Sequence, residues 1–416
     1  MIVARALCQD RSEDLDLAFA RLGLPRPARE YLFEKIPHAQ VLLTGLTRVE
    51  GRFLRALSEA SSAPGREEFP AYVAGDQAKR PGTALLSGRR DQLERVREAA
   101  AKEPELRELA AALGRLLAIP AERVLRVGDR VFPLGKRTLV MGVVNVTPDS
   151  FSDGGRFLEA DQAVAQGEAL ARAGADLLDV GGESSRPGAA PVDPGEELRR
   201  VLPVVKRLLQ STGAPISIDT TKAAVAEEAL AAGATLVNDI SGLSADPGLL
   251  AVVAQAKSKA ALCVMHMQGT PQTMQAAPRY QDVVEEVLAF LHGAAARAVE
   301  AGLAPEQVLV DPGIGFGKTA GHNLALLRRL GDFRQLGHPV LVGTSRKSFL
   351  GALSGGKPAA ERLWATLGSV AAVAALGGAD VVRVHDAAEA RDALAVADAV
   401  RLAAEAGDAF GTPARA

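Results

Sequence analysis

About eight short hydrophobic runs in this 416-residue sequence end on, or just before, a residue that could bind or transform a small molecule. In chain order those residues are Asn145, the group Glu183-Ser184-Ser185-Arg186, Asp219, Asn238, His266, Asp311, Ser345 with Lys347, and Arg383 with His385. Asp219, Asn238 and Asp311 offer carboxylate and amide groups, and a carboxylate suits a ligand edge that carries N–H beside N–H. Lys347 and Arg383 offer a point charge and a planar fork, two usual ways to hold phosphate or diphosphate. Asn145 offers an oxygen to Mg2+, an ion that keeps most of its waters and shares phosphate oxygens with its substrate.

Each of these residues also has a plainer reading. An Asp ahead of a helix is often its N-cap. Arg383 can pair with a neighbouring acid, and the Asn145 amide can turn toward the backbone. His385 can be a satisfied polar residue, and His266 and Met265 can be pocket lining or core. Three acid or amide groups converging at Asp219, Asn238 and Asp311 favour a polar heterocycle over separate caps. The GFGK run ending at Lys318 lacks the first Gly and the spacing of a nucleotide phosphate loop. GGESSRPGAA is a Gly/Pro segment suited to a lid over the site, with Arg186 and Pro187 at its centre.

These residues can meet only if the runs are strands whose C-terminal ends share one mouth. The runs are TLVMGVVNVT, ADLLDVGG, PISIDT, TLVNDIS, ALCVMHM, QVLVDPGIG, PVLVGTS and DVVRVHD, apolar inside and polar at the end. Between them lie amphipathic segments such as EELRRVLPVVKRLLQ and VVEEVLAFLHGAAARAVEAG, several closed by a Gly in C-cap position, as at Gly174, Gly233 and Gly302. Alternating units over about 270 residues match an α/β fold of (β/α)8 TIM-barrel type. An open doubly wound sheet gives the same local signals but scatters the strand ends. In MGVVNVTPDSFSDGG the first run turns polar at Asn145, Thr147, Asp149 and Phe151, as expected of a first barrel strand feeding a catalytic loop.

Upstream, residues 1–120 form a smaller N-terminal α/β unit, and residues 121–416 the barrel. VARAL, QVLLTGL, AYVAG and TALLSG are strand-like, and EDLDLAFARLG, GRFLRALSEA and RDQLERVREAAAKEPELRELAAALGRLLA are helical. No convergent acid, base or metal constellation stands out there, which suggests a structural or oligomerisation role, with a regulatory site as the alternative. RVLRVGDRVFPLGKRTLV is a hairpin around Gly128-Asp129 that could plug the N-terminal end of the barrel.

A net charge of -2 and a pI near 6.4 give no global attraction to nucleic acid or to an anionic membrane, so small molecules are the expected partners. Cys8 and Cys263 stand far apart with no metal-ligand spacing, which argues against a disulfide framework or zinc site and fits a reducing cytoplasm. No uninterrupted apolar span of about 20 residues occurs, and the N-terminus lacks a secretory pattern.

Taken together, NVTPDSFSDGG, GGESSRPGA, SIDTTK, VNDISG, DPGIGFGKT, GTSRKSFLG and RVHD resemble, in order and context, the dihydropteroate synthase family over roughly residues 122 to 408. The resemblance implies a (β/α)8 barrel that joins p-aminobenzoate to 6-hydroxymethyl-7,8-dihydropterin diphosphate in folate biosynthesis, with Mg2+ as cofactor. It also implies a cytoplasmic homodimer. It assigns Asp219, Asn238, Asp311 and Lys347 to the pterin ring, with Ile240 and Met265 also in contact with substrate. Asn145, as metal ligand, would join Arg383 and His385 at the diphosphate. Thr147, Asp149 and Phe151 would close over the site with Ser185, Arg186 and Pro187, making the p-aminobenzoate pocket with Phe316, Lys347 and Ser348. Catalysis would rest on Asn145, Asp219, Lys347, Arg383 and His385.

Two departures stand out. Ser185 replaces a common Thr and keeps its hydroxyl, and Ile314 replaces a common Phe. The competing expectations are a related barrel that moves a methyl group from methyltetrahydrofolate to a corrinoid protein, and a pterin binder without catalysis. The diphosphate-binding and arylamine-binding motifs argue against both.

Overall fold

Both faces of a strand must be covered when it can carry the unbroken apolar run from Leu139 to Val144, and a closed parallel sheet with outer helices covers them. The computed structural model describes residues 3–6, 39–61, 69–74, 82–117, 123–146, 156–256 and 259–403. It divides into two compact units, Met1–Ala121 with Gln335–Gly337, and Glu122–Arg334 with His338–Ala416.

In the first unit, strands β1 (Val3–Ala6), β2 (Ala39–Thr44), β3 (Ala71–Ala74) and β4 (Ala84–Gly88) form an antiparallel sheet in the order β1-β2-β4-β3. Helices α1 (Arg48–Ala60), α2 (Arg90–Ala101) and α3 (Arg107–Leu117) supply Leu54, Leu93, Val96, Leu109 and Leu113 to a core with Val41, Leu43 and Leu86. The sequence predicts one long helix from Arg90 onward, whereas the structure breaks it into α2, a 3-10 turn at Pro104–Leu106, and α3. Pro104 is the reason, since it removes an amide donor and its ring clashes with the preceding turn. The helix expected at EDLDLAFARLG lies outside the described residues.

The second unit opens with the hairpin β5 (Val124–Val127) and β6 (Arg130–Pro133). Eight barrel strands follow: β7 (Leu139–Asn145), β8 (Leu177–Gly181), β9 (Ile216–Asp219), β10 (Leu236–Asp239), β11 (Ala261–Met265), β12 (Val308–Asp311), β13 (Leu341–Val342) and β14 (Val381–Val384). All pairings are parallel, in the order β12-β11-β10-β9-β8-β7-β14-β13. The two ends meet at a parallel bridge between Val310 and Val340, where the Val310 amide donates to the Pro339 carbonyl at 2.9 Å. The sheet is therefore a closed (β/α)8 barrel.

Helices α4 (Arg156–Arg172), α5 (Pro194–Ser211), α6 (Ala223–Ala231), α7 (Leu249–Gln255), α8 (Val283–Glu300), α9 (Ala320–Arg328), α10 (Ser348–Leu353), α11 (Leu363–Ala375) and α12 (Ala387–Leu402) complete the units. Gly174, Gly233 and Gly302 stand just past three of them with φ of 90°, 114° and 107°, where a side chain would be strained. No helix among the described residues is long and apolar enough to cross a membrane.

The hairpin closes the N-terminal end. Leu125, Val127 and Leu134 are buried against Leu139, Met141, Leu177, Leu236, Ala261, Cys263, Leu309, Leu341 and Val381, all near the starts of barrel strands or within them. Leu125→Ala removes a fully buried side chain from this plug, so the barrel should lose about 2–5 kcal/mol, read as a lower urea midpoint. A change below about 0.5 kcal/mol, the size of an ordinary surface substitution, would show that the hairpin is peripheral to barrel stability.

Candidate active site

Side chains alternate along a strand, so adjacent acids and amides can face opposite sides of the barrel wall. Asn238 and Asp239 in β10 show this. Asp239 is fully buried and accepts from the Ser241 amide at 2.8 Å, the Ser241 hydroxyl at 2.6 Å and the Leu243 amide at 2.6 Å, which settles it as a turn-forming acid. Asn238 donates instead, from Nδ2 to Asp179 Oδ2 at 3.0 Å.

Arg383, in β14, is the hub of the mouth. Its Nε donates to Asp179 Oδ2 at 2.6 Å and its Nη2 to Asp219 Oδ2 at 2.7 Å. Burial pulls the guanidinium's pKa down, but Asp179 and Asp219 more than reverse that and leave it above its ordinary value. The reading in which Arg383 pairs with a neighbouring acid therefore holds, and Nη1 is left without a protein acceptor among the described residues.

The acids pay for their enclosure in pKa. Burial pushes the Asp219 carboxyl up to about 7, with Arg383 opposing and Asp179 adding to the shift. Burial likewise raises Asp311 to about 6, although its Oδ1 accepts the Gly313 amide at 2.7 Å. Gly313 must lack a side chain here, because its φ is 68° and a Cβ would lie 1.9 Å from the His266 carbonyl oxygen. Lys347 is lowered to about 8 by burial and Arg383, against the pull of Asp311 and Asp219, and its Nζ lies 3.9 Å over the Phe316 ring. His385 is lowered to about 4 by burial and Arg383, so its ring is neutral at neutral pH, and its Nδ1 is 2.9 Å from the Ser345 hydroxyl.

An apolar wall of Met265, Met274 and Phe316, with Ile240 and Met267 against it, lies beside these charges. The loop after β12 is fixed from beneath. Lys318 Nζ is within hydrogen-bonding distance of His266 Nδ1 at 3.0 Å, the His266 carbonyl at 3.2 Å and the Phe316 carbonyl at 2.9 Å, one acceptor for each of its protons. Burial drops its pKa to about 7. Lys318 is thus a brace for the loop that carries Phe316.

The loop after β8 is held at both ends. Lys222 contacts Glu183 and Glu197 at its base, and at its far end the Gly188 amide donates to the Pro271 carbonyl at 3.1 Å while Gln272 Nε2 donates to the Ala189 carbonyl at 3.0 Å. Within it Ser185 is half-buried and Arg186 and Pro187 are exposed. Ser348, at the start of α10, is also exposed. Asn145 ends β7 opposite Gly181, and its carboxamide has no partner among the described residues. Thr147, Asp149 and Phe151 lie outside the described residues.

The sequence reading missed Asp179 and Met274. Asp179 carries a visible signal, an acid in the middle of the otherwise apolar run ADLLDVGG, although it does not stand at the strand end where the other site residues do. Met274 carried no distinguishing signal. Collected at the mouth are three acceptors without a protein donor among the described residues, Asp219 Oδ1, Asn238 Oδ1 and Asp311 Oδ2, together with the cations of Lys347 and Arg383. Such a set suits a flat heterocycle with an N–H edge and an anionic tail.

The arrangement defines a pterin-binding barrel, and a family model described as "Pterin binding enzyme" matches residues 141–385. A dihydropteroate synthase of Synechocystis sp. is 48% identical over 276 residues, covering 66% of this chain and 94% of the relative. Dihydropteroate synthase of Burkholderia cenocepacia, solved in complex with 7,8-dihydropteroate, is 46% identical with a TM-score of 0.61, covering 68% of this chain and 98% of that one. The Xanthomonas albilineans enzyme, solved with 4-aminobenzoic acid, is 44% identical with a TM-score of 0.62, covering 68% and 99%. The chain belongs to the dihydropteroate synthase family of pterin-binding enzymes. The family model leaves residues 1–140 unmatched.

The raised acids make a signed prediction. Asp311 is raised to about 6 in the folded chain from about 3.9 when unfolded, so the stability its protonated form contributes is fully present below about pH 4 and lost as pH rises through about 6. Asp311→Asn stays neutral and can still accept the Gly313 amide. The melting temperature of Asp311→Asn minus that of the wild type should therefore be flat below about pH 4 and climb toward pH 7. A difference independent of pH would mean that Asp311 ionises at the ordinary carboxylate value.

Proposed function

We propose that this chain is a transferase that condenses 6-hydroxymethyl-7,8-dihydropterin diphosphate with p-aminobenzoate, giving 7,8-dihydropteroate and diphosphate in folate biosynthesis. The observation that carries the reading is the open acceptor set of Asp219, Asn238 and Asp311 beside Lys347 and Arg383, in a barrel 48% identical to a dihydropteroate synthase. Asp219, Asn238 and Asp311 take the N–H edge of the pterin, and Met265 and Ile240 pack on its ring. Phe316, Lys347 and Ser348, with Ser185, Arg186 and Pro187, form the p-aminobenzoate side, joined by Thr147 and Phe151.

An arylamine is a weak nucleophile, so the bond between the exocyclic methylene carbon and the diphosphate oxygen breaks first, its electron pair leaving with diphosphate. The cation that remains is delocalised into the pterin, where the carboxylates of Asp219 and Asp311 offset it. The amine lone pair then forms the C–N bond, and the arylammonium loses its proton to water. Arg383 through Nη1, and the neutral His385 ring, donate to the leaving diphosphate. The loop held by Lys222 and Gln272 covers the cation from water that would otherwise quench it.

Among the described residues no group of three His, Cys, Asp or Glu could hold a metal, and the unpartnered Asn145 carboxamide stands alone at the first strand end. That fits an ion taking most of its ligands from water and substrate, as Mg2+ does. When bound through Asn145, Mg2+ would neutralise charge on the diphosphate. A cytoplasmic homodimer belongs to the same proposal: Val396 and Val400, one turn apart near the end of α12, are apolar and exposed, and a second copy would cover them.

Dihydropteroate formation should require dihydropterin diphosphate, p-aminobenzoate and Mg2+, and a chelator should abolish it. Arg383→Ala should lower turnover at saturating substrates about 100-fold or more. Pterin binding with no product that depends on p-aminobenzoate would move the chain to methyl transfer or to simple binding.

A further inference from the structure

Asp179 is an acid in the middle of β8 that touches no solvent, at 0% exposure, and the reaction as derived above gives it no part. Its Oδ2 accepts from both Arg383 Nε and Asn238 Nδ2, while its Oδ1 is fully enclosed with no partner among the described residues. An orphaned buried acceptor costs about 1–3 kcal/mol, and a purely structural ion pair would be expected to use both oxygens. A fold that keeps such a group has a use for it at the site.

We propose that Asp179 is a positioning residue that sets the hydrogen-bonding polarity of the pterin floor. A carboxylate only accepts, so the Asn238 amide must present its NH2 to Asp179 and can turn only its Oδ1 to the ligand. Asn238 then acts as an acceptor, like Asp219 and Asp311 on either side of it in the barrel. The same oxygen takes Arg383 Nε, which directs Nη2 to Asp219 and leaves Nη1 for the anion. With Asp179 in place these three floor positions are all acceptors, and they suit a heterocycle with three N–H donors to set against them, as a dihydropterin has at N3, N8 and the 2-amino group. Without it the amide can flip and offer a donor, which leaves a ligand N–H facing an N–H.

This rests on the pocket being the pterin site, and its test separates the two ideas. In full-length Asp179→Asn, shown to be folded by its thermal transition, the KM for dihydropterin diphosphate should rise about 10- to 100-fold. The KM for p-aminobenzoate should stay within about twofold, because the hydrogen bonds of Asp179 run to Arg383 and Asn238 and not to Phe316, Lys347 or Ser348. The acid limb of kcat/KM should also move to lower pH. Asp219 is faced by Arg383 from β14, Asp179 from β8, Glu197 from α5 and Lys347 after β13, and removing Asp179 removes one of the two negative charges that hold its carboxyl up. A folded variant with unchanged KM values and an unchanged acid limb overturns the proposal.

Asn238→Asp decides the matter if Asp179→Asn does not fold. It sets a second carboxylate against Asp179, so one of the pair must carry a proton, and dihydropterin diphosphate should bind better at pH 6 than at pH 8, opposite to the wild type. The same pH trend as the wild type would overturn the proposal. A wild type that binds dihydropterin diphosphate by calorimetry but forms no dihydropteroate would sink the synthase reading alone, and the calorimetric titrations of both variants would still decide the role of Asp179.

Discussion

Two carboxylates at the barrel mouth need the same positive charge, and Arg383 supplies it to both through different nitrogens. Without the guanidinium, Asp179 and Asp219 would be like charges facing each other in a poorly solvated interior. Removing one partner of a buried pair costs about 3–5 kcal/mol because the other charge is left unpaired. Arg383 is therefore part of the fold before it is part of any ligand contact. Asn238 depends on the same knot, since its amide is oriented by Asp179.

That knot can exist only because the two ends of the barrel do different work. At the N-terminal end the hairpin packs Leu125, Val127 and Leu134 onto a layer of buried Leu, Met, Ala, Cys and Val side chains. The apolar layer keeps water out from below, which strengthens the electrostatics above it. At the C-terminal end the loops are braced by cations that are not free to bind ligand. Lys318 spends its donors on His266 and on the Phe316 carbonyl, tying the loop that carries Phe316 to the end of β11, and Lys222 is divided between Glu183 and Glu197. Lys347 and the open nitrogen of Arg383 are thereby left free of such bracing and can meet an anion.

The sequence made the barrel legible because both of its periodicities are strong. Every one of the eight apolar runs is a strand, and the glycines expected to stop helices have the positive φ that position requires. The collection of polar strand ends at one mouth was legible too, once the barrel was assumed. What could not be read was which polar residue pairs with which. Asn238 and Asp239 are neighbours of similar character, yet one faces Asp179 and the other caps a turn, a difference set by strand register. Asp179 was hidden by its own burial, because an acid inside an apolar run looks like an interruption until the partner at Arg383, far along the chain, is seen beside it. Pro104 shows the reverse case: its local effect was fully legible, and the helical composition on both sides masked it.

The mouth that results is uncomfortable when empty. Asp219 and Asp311 are held near neutrality, short of donors, and Asn238 turns an acceptor to the same space. A ring edge made of N–H groups relieves all three at once, replacing imperfect solvation with charge-assisted hydrogen bonds. A ring that places an acceptor opposite one of these three oxygens sets lone pair against lone pair in a dry site, and rejecting a mismatched partner in this way discriminates far better than filling a hydrophobic pocket does. Selectivity for the pterin then follows from what the empty site lacks, and the residues that keep it lacking, Asp179 above all, matter as much as those that touch the ring.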